Sequence, residues 1–294
     1  MSESMAGLRR KIGTADDLHT VVRTMKAMAA SSIGQYENAI ASLDAYNRAV
    51  QLGLAACLRR EQAPAAAMPG RHAQCAAVTA LVFGSDQGMV GQFNDAMLEF
   101  VKATLAPMPG SKTVLAVGER IAVLLAGSAL EAKSGFALPM SIRATAPLVG
   151  QLLIALEPDR LKGGHAPVYV FHHRPMPGGA YAPVCQRLLP LDDAWQRNLV
   201  ALPWPSKQLP EVLGLMSTTL AAFVSEYLFV TLFRACAESQ ASENASRLAA
   251  MQRAEKNIDE LLGDLNRGYH RLRQSGIDDE LFDLVGGFAT LSQL

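Results

Sequence analysis

The chain has few cysteines and no excess charge of either sign. Its 294 residues include four cysteines, at positions 57, 75, 185 and 236, with no C-x-x-C pair and no histidine at ligand spacing. This pattern predicts neither a metal site nor a thiol redox centre. Lysine and arginine number 27, as do aspartate and glutamate, so no net charge favours nucleic acid or an anionic membrane as a partner. We therefore expect partners that are recognised by shape.

Long apolar runs are also missing. The N-terminus has no apolar segment of the kind found in secretory signals, and no run approaches the roughly 20 apolar residues that cross a bilayer. The sequence predicts a cytoplasmic chain whose membrane association is only indirect.

Proline is absent before Pro64, and this absence accompanies a helical pattern. Apolar residues recur at steps of three and four, namely Leu8, Ile12, Ala15, Leu18, Val22, Met25, Ala29, Ile33, Tyr36, Ile40, Leu43, Val50 and Leu54. The spacing predicts one helix of roughly 50 residues, about 75 Å long, within a segment 1–60. No compact domain of this size buries that length.

The C-terminal segment 206–294 repeats the pattern, because proline is absent from Glu211 onward and apolar residues return at helical spacing. We expect a second long helix here, broken near Gly276. Residues 1–60 carry a net charge of +3 and residues 235–294 of −4. Long terminal helices of opposite charge favour an antiparallel coiled coil over two separate helices of a bundle.

The middle of the chain has a different pattern of apolar and polar residues. A linker, 61–73, rich in proline and alanine, precedes a segment 74–195 in which short apolar runs alternate with amphipathic stretches. Strands are expected at 76–83, 113–117, 168–172 and 182–189, the last two as a hairpin, with helices at 95–105, from 119, and at 146–157. The predicted fold class is therefore α/β: a long antiparallel coiled coil of the N- and C-terminal helices plus a small central α/β (Rossmann-like) domain.

A glycine loop follows the first predicted strand, and it raises the question of nucleotide binding. It contains Gly84, Asp86, Gly88, Gly91 and Asn94. Such a loop before a helix can cradle an anion. It lacks the lysine of a P-loop and the G-x-G-x-x-G spacing, and Asp86 would repel phosphate. We interpret it as a structural turn that needs no cofactor, with Asn94 or Asp95 capping the next helix.

His172 and His173 are neighbours on a predicted strand, so their side chains point to opposite faces and cannot bind one metal together. One buried and one solvated imidazole are expected. No nucleophile motif, zinc-protease motif or carboxylate pair is present, so the chain itself is predicted to be non-catalytic.

Three sequence blocks together resemble the gamma subunit of F-type ATP synthases. The first is the V-R-T-M-K-A-M-A-A-S run at 22–31, and the second is the S-D-x-G-x-x-G-x-F-N loop at 85–94. The third is the C-terminal series E-S-Q-A-S-E-N-A-S-R-L-A-A-M at 238–251, K-N at 256–257 and Y-H-R-L-R-Q at 269–274. Gln87, where the family usually has arginine, and Asp278, where it commonly has threonine, depart from the pattern. These departures resemble a divergent branch, such as the sodium-associated F-type ATPases.

The resemblance implies a central rotor shaft that couples proton or sodium flow to ATP synthesis or hydrolysis. Its implied partners are the alpha and beta subunits of the catalytic head, the epsilon subunit and the membrane c-ring, at the cytoplasmic face of the bacterial inner membrane. The implied contact residues are Met25 and Lys26 near the catalytic lever, a polar catch of Arg247, Arg273, Gln274 and Asp278, and an apolar tail at 284–289 in a bearing. The alternatives are a coiled-coil scaffold without a rotary role and a nucleotide-binding α/β enzyme.

Overall fold

The computed structural model describes residues 4–60, 77–130, 132–161, 167–191, 193–208 and 210–291. The predicted linker, which lies at 61–73, and Cys75 fall outside the described residues. The chain divides into two compact units. Unit 1 comprises residues 1–29 and 248–294, and unit 2 comprises residues 30–247.

The first long helix, α1 (Met5–Arg60), confirms the prediction from the N-terminal pattern. Its buried side chains repeat every seven residues, at Leu8, Ala15, Val22, Ala29 and Tyr36. The positions four residues further along, which are Ile12, His19, Lys26, Ile33 and Ile40, are half-buried. This is the a/d spacing of a coiled-coil seam.

The phase of the seam differs from the prediction at two turns. Leu18 was placed in the seam, but its side chain is 53 % exposed, and His19 lies on the seam instead. At the next heptad Lys26 shares the seam with Met25, which is also half-buried. A strict seven-residue repeat keeps one stripe facing the partner helix, whatever the hydropathy of a single residue.

The second long helix, α6 (Met216–Leu291), runs without the break that was expected near Gly276. A single glycine in a helix costs only about 1 kcal/mol relative to alanine, which the neighbouring turns can offset.

In unit 1, α1 and α6 pair in antiparallel orientation. His19 Nε2 lies 3.2 Å from Asp259 Oδ1, and Lys26 forms an ion pair with Glu255. As position 19 increases to 26 on α1, the partner decreases from 259 to 255 on α6. All residues from Arg273 to Val285 of α6 are exposed.

Unit 2 contains a five-stranded sheet whose spatial order is β3-β2-β1-β4-β5. The strands are β1 (Ala77–Phe83), β2 (Ser111–Val117), β3 (Ala132–Phe136), β4 (Val168–Pro175) and β5 (Tyr181–Leu189). Four strands run parallel, and β5 pairs antiparallel with β4, which confirms the predicted hairpin. β3 was not predicted because only its two ends are even partly buried, as in an exposed edge strand.

Helices cover both faces of the sheet. On one face lie α2 (Phe93–Leu105) and α3 (Glu119–Ala126). On the other lie α4 (Thr145–Leu161) and residues 228–236 of α6, which pack on Leu81 and Phe83 of β1. A short helix, α5 (Asp193–Val200), was not predicted and packs through Leu199 near Val50 and Leu54 of α1. The result is a three-layer α/β arrangement in which α6 is part of the core.

The sequence was expected to contain no segment long and apolar enough to cross a bilayer, but α6 contains one. An 18-residue window of this helix has a mean hydropathy of 1.5, enough by length and composition for a membrane span, and 44 % of the window is buried. Leu228, Leu232 and Cys236 lie in the core against the sheet. We therefore interpret the stretch as a core helix.

Within unit 2, α1 and α6 are also antiparallel. Arg234 Nη1 lies 2.8 Å from Asp44 Oδ1, and Tyr46 donates a 2.6 Å hydrogen bond to Glu226. The Arg59 guanidinium at the end of α1 donates to the carbonyl of Val200, the last residue of α5, and to that of Leu202, which follows α5.

Candidate functional site

The glycine loop begins directly at the end of β1, where close packing requires a residue without a side chain. A Cβ at Gly84 would lie 2.3 Å from the Cβ of Ile121 on α3. Gly118, before α3, has a φ of +116° and approaches the Ser85 carbonyl oxygen, which would be 2.9 Å from an added Cβ. At Gly88 an added Cβ would meet only the guanidinium end of Arg120, at 3.4 Å. The steric demand therefore lies at Gly84 and Gly118.

Asp86 ties the loop to two other segments that leave the same edge of the sheet. Its Oδ1 accepts a 2.9 Å hydrogen bond from the backbone N–H of Glu119, at the start of α3. Its Oδ2 accepts a 2.9 Å bond from the N–H of Leu138, after β3. Asp86 thus accepts a hydrogen bond from a backbone N–H at the N-terminus of α3, the kind of position at which a phosphate can bind.

Asn94 does not cap the following helix, and neither does Asp95, contrary to the prediction. The helix already begins at Phe93. Gln92, which precedes it at the capping position, makes no side-chain capping bond. The Asn94 amide is used inside the loop: Oδ1 accepts from Ser85 N–H at 2.9 Å, and Nδ2 donates to Ser85 Oγ at 2.8 Å. Gly91 and Met89 have positive φ angles of 56° and 61°, which complete the tight turn.

The crevice where doubly wound sheets bind their ligands is filled by the chain itself. Strand order reverses between β1 and β4, and ligands of such sheets bind beyond the carboxyl ends of the strands at that switch point. Here Ser246 of α6 donates a 2.5 Å hydrogen bond to the carbonyl of Val90 and is 3.0 Å from the Tyr181 hydroxyl. Gln240 of α6 donates to the carbonyl of Pro139 at 3.4 Å. A helix therefore lies where a nucleotide would lie in a binding domain.

The two histidines are both buried, which corrects the expectation of one solvated imidazole. They do face opposite sides of β4, but this central strand is covered on both faces. His172 Nε2 bonds Glu238 at 2.9 Å. His173 packs between the rings of Phe93 and Tyr181, and both its nitrogens lack a hydrogen-bond partner among the described residues. Burial, with a smaller effect of His172, lowers the pKa of His173 to about 3.

Glu238 has several hydrogen-bond partners at the same edge. Besides His172, it accepts from Arg174 Nε at 3.2 Å and from Arg234 Nε at 2.9 Å. Burial alone would raise the pKa of Glu238, but the hydrogen bonds from His172 and Arg234 and the charges of His172 and Arg174 outweigh it and lower the pKa to about 2. Its side chain is therefore an ionised carboxylate in a mostly buried site.

Arg247, a predicted catch residue, lies in a crowded polar cluster. Its Nη2 pairs with Glu243 at 2.6 Å, its side chain is 12 % exposed, and its Nε is buried with no hydrogen-bond partner in the described part of the chain. Burial raises the pKa of Glu243, Arg247 opposes the rise, and the charge of Asp86 adds to it.

The other predicted contact residues lie in unit 1 and do not form one cluster. Met25 is half-buried, and Lys26 is paired with Glu255. Arg273, Gln274 and Asp278 are exposed on α6. At a rise of about 1.5 Å per residue, Arg273 lies about 27 Å beyond Glu255 along the helix axis. The candidate contacts are therefore distributed along the helix pair.

Sequence reasoning gave no role to Glu238 or Ser242, although their block carried part of the resemblance. A usable signal existed, because the polar residues at 238–246 directly follow the mainly apolar stretch 220–237 of the same helix, with no glycine or proline between them. A polar run of this kind in a core helix indicates buried hydrogen-bond partners. No group of three or more His, Cys, Asp or Glu side chains that could hold a metal occurs within the described ranges.

Comparisons with known proteins agree with this geometry. The model of the ATP synthase family matches residues 4–291. The gamma chain of ATP synthase from Syntrophus aciditrophicus is 25 % identical, and the match covers 99 % of both chains. The chain belongs to the ATP synthase gamma-chain family. It is accordingly a subunit of the membrane-associated ATP synthase complex, and no catalytic role is indicated for it.

A shorter match of higher identity and a solved structure are consistent with this family. The gamma chain of Lawsonia intracellularis is 42 % identical over 82 residues, which cover 28 % of this chain and 27 % of that protein. The rotor of the Euglena gracilis mitochondrial ATP synthase superimposes with a TM-score of 0.64 at 16 % identity, covering 93 % of this chain and 98 % of the other. That likeness shows the shared fold of long terminal helices around a mixed sheet.

Proposed function

We propose that this chain is the turning shaft of a rotary ATP synthase and couples ion flow to ATP synthesis or hydrolysis in the catalytic head. The observation that carries the proposal is the antiparallel pairing of α1 with α6 in unit 1, through His19 with Asp259 and Lys26 with Glu255. A helix pair of this kind resists twisting because side chains interlock along its seam. Membership of the gamma-chain family supports the same role.

The proposed contacts with the catalytic head follow from exposure and position. Arg273, Gln274 and Asp278, all exposed on α6, serve as the catch that one catalytic subunit grips at a time. Arg247 belongs to the same proposed catch, although most of its surface is covered by Glu243 and its surroundings. Met25 and Lys26 lie near the catalytic lever. Torque arises because an asymmetric shaft favours a different catalytic conformation at each angle.

The apolar end of α6 is proposed to turn in a bearing of the head. Ile277, Leu281, Phe282, Leu284 and Val285 are each about half exposed or more. Exposed apolar side chains that lie together on one helix face support a protein interface at this position. The remaining proposed partners are the alpha, beta and epsilon subunits and the c-ring, at the cytoplasmic face of the bacterial inner membrane.

A reversible lock between shaft and head tests the proposal. A cysteine at Gln274, oxidised to a disulfide with a cysteine on one catalytic subunit, should abolish multi-turnover ATP hydrolysis, and reduction should restore it. The matched control is a disulfide between cysteines at Lys26 and Glu255, which joins two helices that turn together and should leave hydrolysis largely unchanged. If the shaft-to-head lock is complete on a gel and steady-state hydrolysis still drives ion pumping, the rotary role is refuted.

A further inference from the structure

Four polar side chains of α6 bind three segments that leave one edge of the sheet, and we call Glu238, Gln240, Ser242 and Ser246 the α6 clamp. Ser246 donates to the carbonyl of Val90 in the glycine loop. Gln240 donates to the carbonyl of Pro139, which lies after β3. Ser242 donates to the carbonyl of His173, and Glu238 binds His172 and Arg174, all at the end of β4. All four clamp residues are buried.

We propose that the α6 clamp fixes the rotation and the axial position of α6 against the α/β domain, so that torque passes between them. This inference rests on the proposed rotary function. The clamp residues act by positioning the helix, and no chemical step is assigned to them.

Directionality is the reason that the clamp is needed in addition to the apolar core. Leu228, Leu232 and Ala235 of α6 pack on the sheet, but apolar contact is non-directional and tolerates small rotations and sliding. Hydrogen bonds weaken steeply when their angle departs from linear. A helix held only by its apolar face could turn about its own axis under load before the domain followed it.

The two ends of the clamp are far enough apart to resist such a motion. At a rise of about 1.5 Å per residue, Glu238 and Ser246 lie about 12 Å apart along the helix axis. Glu238 binds two side chains of β4, and Ser246 bonds both the Val90 carbonyl and the Tyr181 hydroxyl. Rotation or sliding of α6 must therefore break bonds at two separate points.

The segment offers a matched pair of substitutions. Ser246→Ala removes a hydroxyl that bonds the loop, whereas Ser239→Ala removes a buried hydroxyl that has no hydrogen-bond partner in the described part of the chain. Both changes delete one oxygen atom from the same region of α6. Hydrogen exchange of the full chain, followed by mass spectrometry, compares them.

In Ser246→Ala we expect amide exchange in 84–91 and 239–250 to accelerate roughly fivefold or more, as for loss of one or two buried hydrogen bonds. Ser239→Ala should stay within about twofold of the parent. Equal acceleration in both variants, or no acceleration in Ser246→Ala, overturns the clamp.

A second measurement concerns torque, in the assembled complex sealed in vesicles. Ser246→Ala should keep the parent rate of ATP hydrolysis but lower ion uptake per ATP at least twofold against an opposing gradient, while Ser239→Ala matches the parent. Unchanged uptake per ATP in a variant whose exchange is accelerated reduces the clamp to a stabilising contact and overturns its torque role. If the parent complex itself shows no coupled uptake, the proposed function fails, and the torque role fails with it.

Discussion

Lys26 of α1 and Glu255 of α6 form an ion pair on the seam of unit 1, in a position that a coiled coil normally gives to apolar side chains. Arg23 Nε lies 4.0 Å from the same carboxylate. The hydrogen bond from Lys26 is the main reason that the pKa of Glu255 is lowered, against the effect of its own burial. A polar pair on a seam specifies register and orientation at a cost in stability.

A double-mutant cycle on this pair should separate stability from register. Lys26→Met and Glu255→Met should each lower the melting temperature of the full chain, because each leaves one charge on the seam without its nearest partner. The double variant should melt at or above the parent temperature. Two additive losses, with a double variant below either single variant, would show that the residues do not interact.

Gly84 should be far less tolerant of a side chain than Gly88 in the same loop. Gly84→Ala forces a new Cβ against Ile121, and overpacking of this kind typically costs about 1–3 kcal/mol. Gly88→Ala meets only the flexible end of Arg120. Its free energy of unfolding should therefore stay within about 0.5 kcal/mol of the parent, as for ordinary surface substitutions. Urea unfolding of both variants checks this, and equal losses would refute the steric account.

His173 should be replaceable by an aromatic hydrocarbon with a gain in stability. His173→Phe keeps the ring between Phe93 and Tyr181 and removes two buried nitrogens that lack partners in the described part of the chain. The expected stabilisation at pH 7 is on the order of 1 kcal/mol, the cost of an unsatisfied buried polar group. Because the folded pKa of His173 is about 3, below its unfolded value, the parent loses stability as the pH falls below about 6.5. The advantage of His173→Phe should therefore grow towards pH 4.

The neighbouring histidine is the control for that prediction. His172→Phe removes the bond to Glu238 and should destabilise the chain. If both variants have the same effect in urea unfolding at pH 7 and pH 5, the unpaired nitrogens of His173 are not the cause.

Glu238 should contribute stability that depends on pH, because its carboxyl group titrates at a lower pH in the folded chain. Its folded pKa of about 2 lies below the unfolded value of about 4.3, so its contribution is complete above the unfolded pKa and is lost as the pH falls towards 2. Glu238→Gln should be less stable than the parent at pH 7, and the gap should narrow between pH 5 and pH 3. A gap that is constant over this range would mean that ionisation of Glu238 does not matter.

Periodic segments of this chain were predictable, whereas polar contacts distant in sequence were not. The long helices follow from the repeat at Leu8, Ala15 and Val22, which needs only local pattern. The bonds of Asp86 to Glu119 and Leu138 join residues 33 and 52 positions apart, and no local pattern contains them. Asparagine is a residue type that commonly caps helices, but the Asn94 amide instead forms two hydrogen bonds with Ser85, one with its backbone N–H and one with its hydroxyl.

The seam shows a different limit, at the level of one residue. Leu18 is the more hydrophobic neighbour of His19, so hydropathy alone places the wrong residue on the seam. The seven-residue repeat of Leu8, Ala15 and Val22 places His19 there. Its partner Asp259 of α6, 3.2 Å away, is distant in sequence and is not contained in that repeat.

The contact between Gly84 and Ile121 restricts how the sequence of this chain can diverge. With an added Cβ at 84 only 2.3 Å from that of residue 121, position 84 can accept a side chain only if residue 121 becomes smaller or the loop moves. The two positions are therefore expected to covary among homologues that retain this packing. A change at one without a change at the other would mark a lineage in which β1 and α3 have been rebuilt.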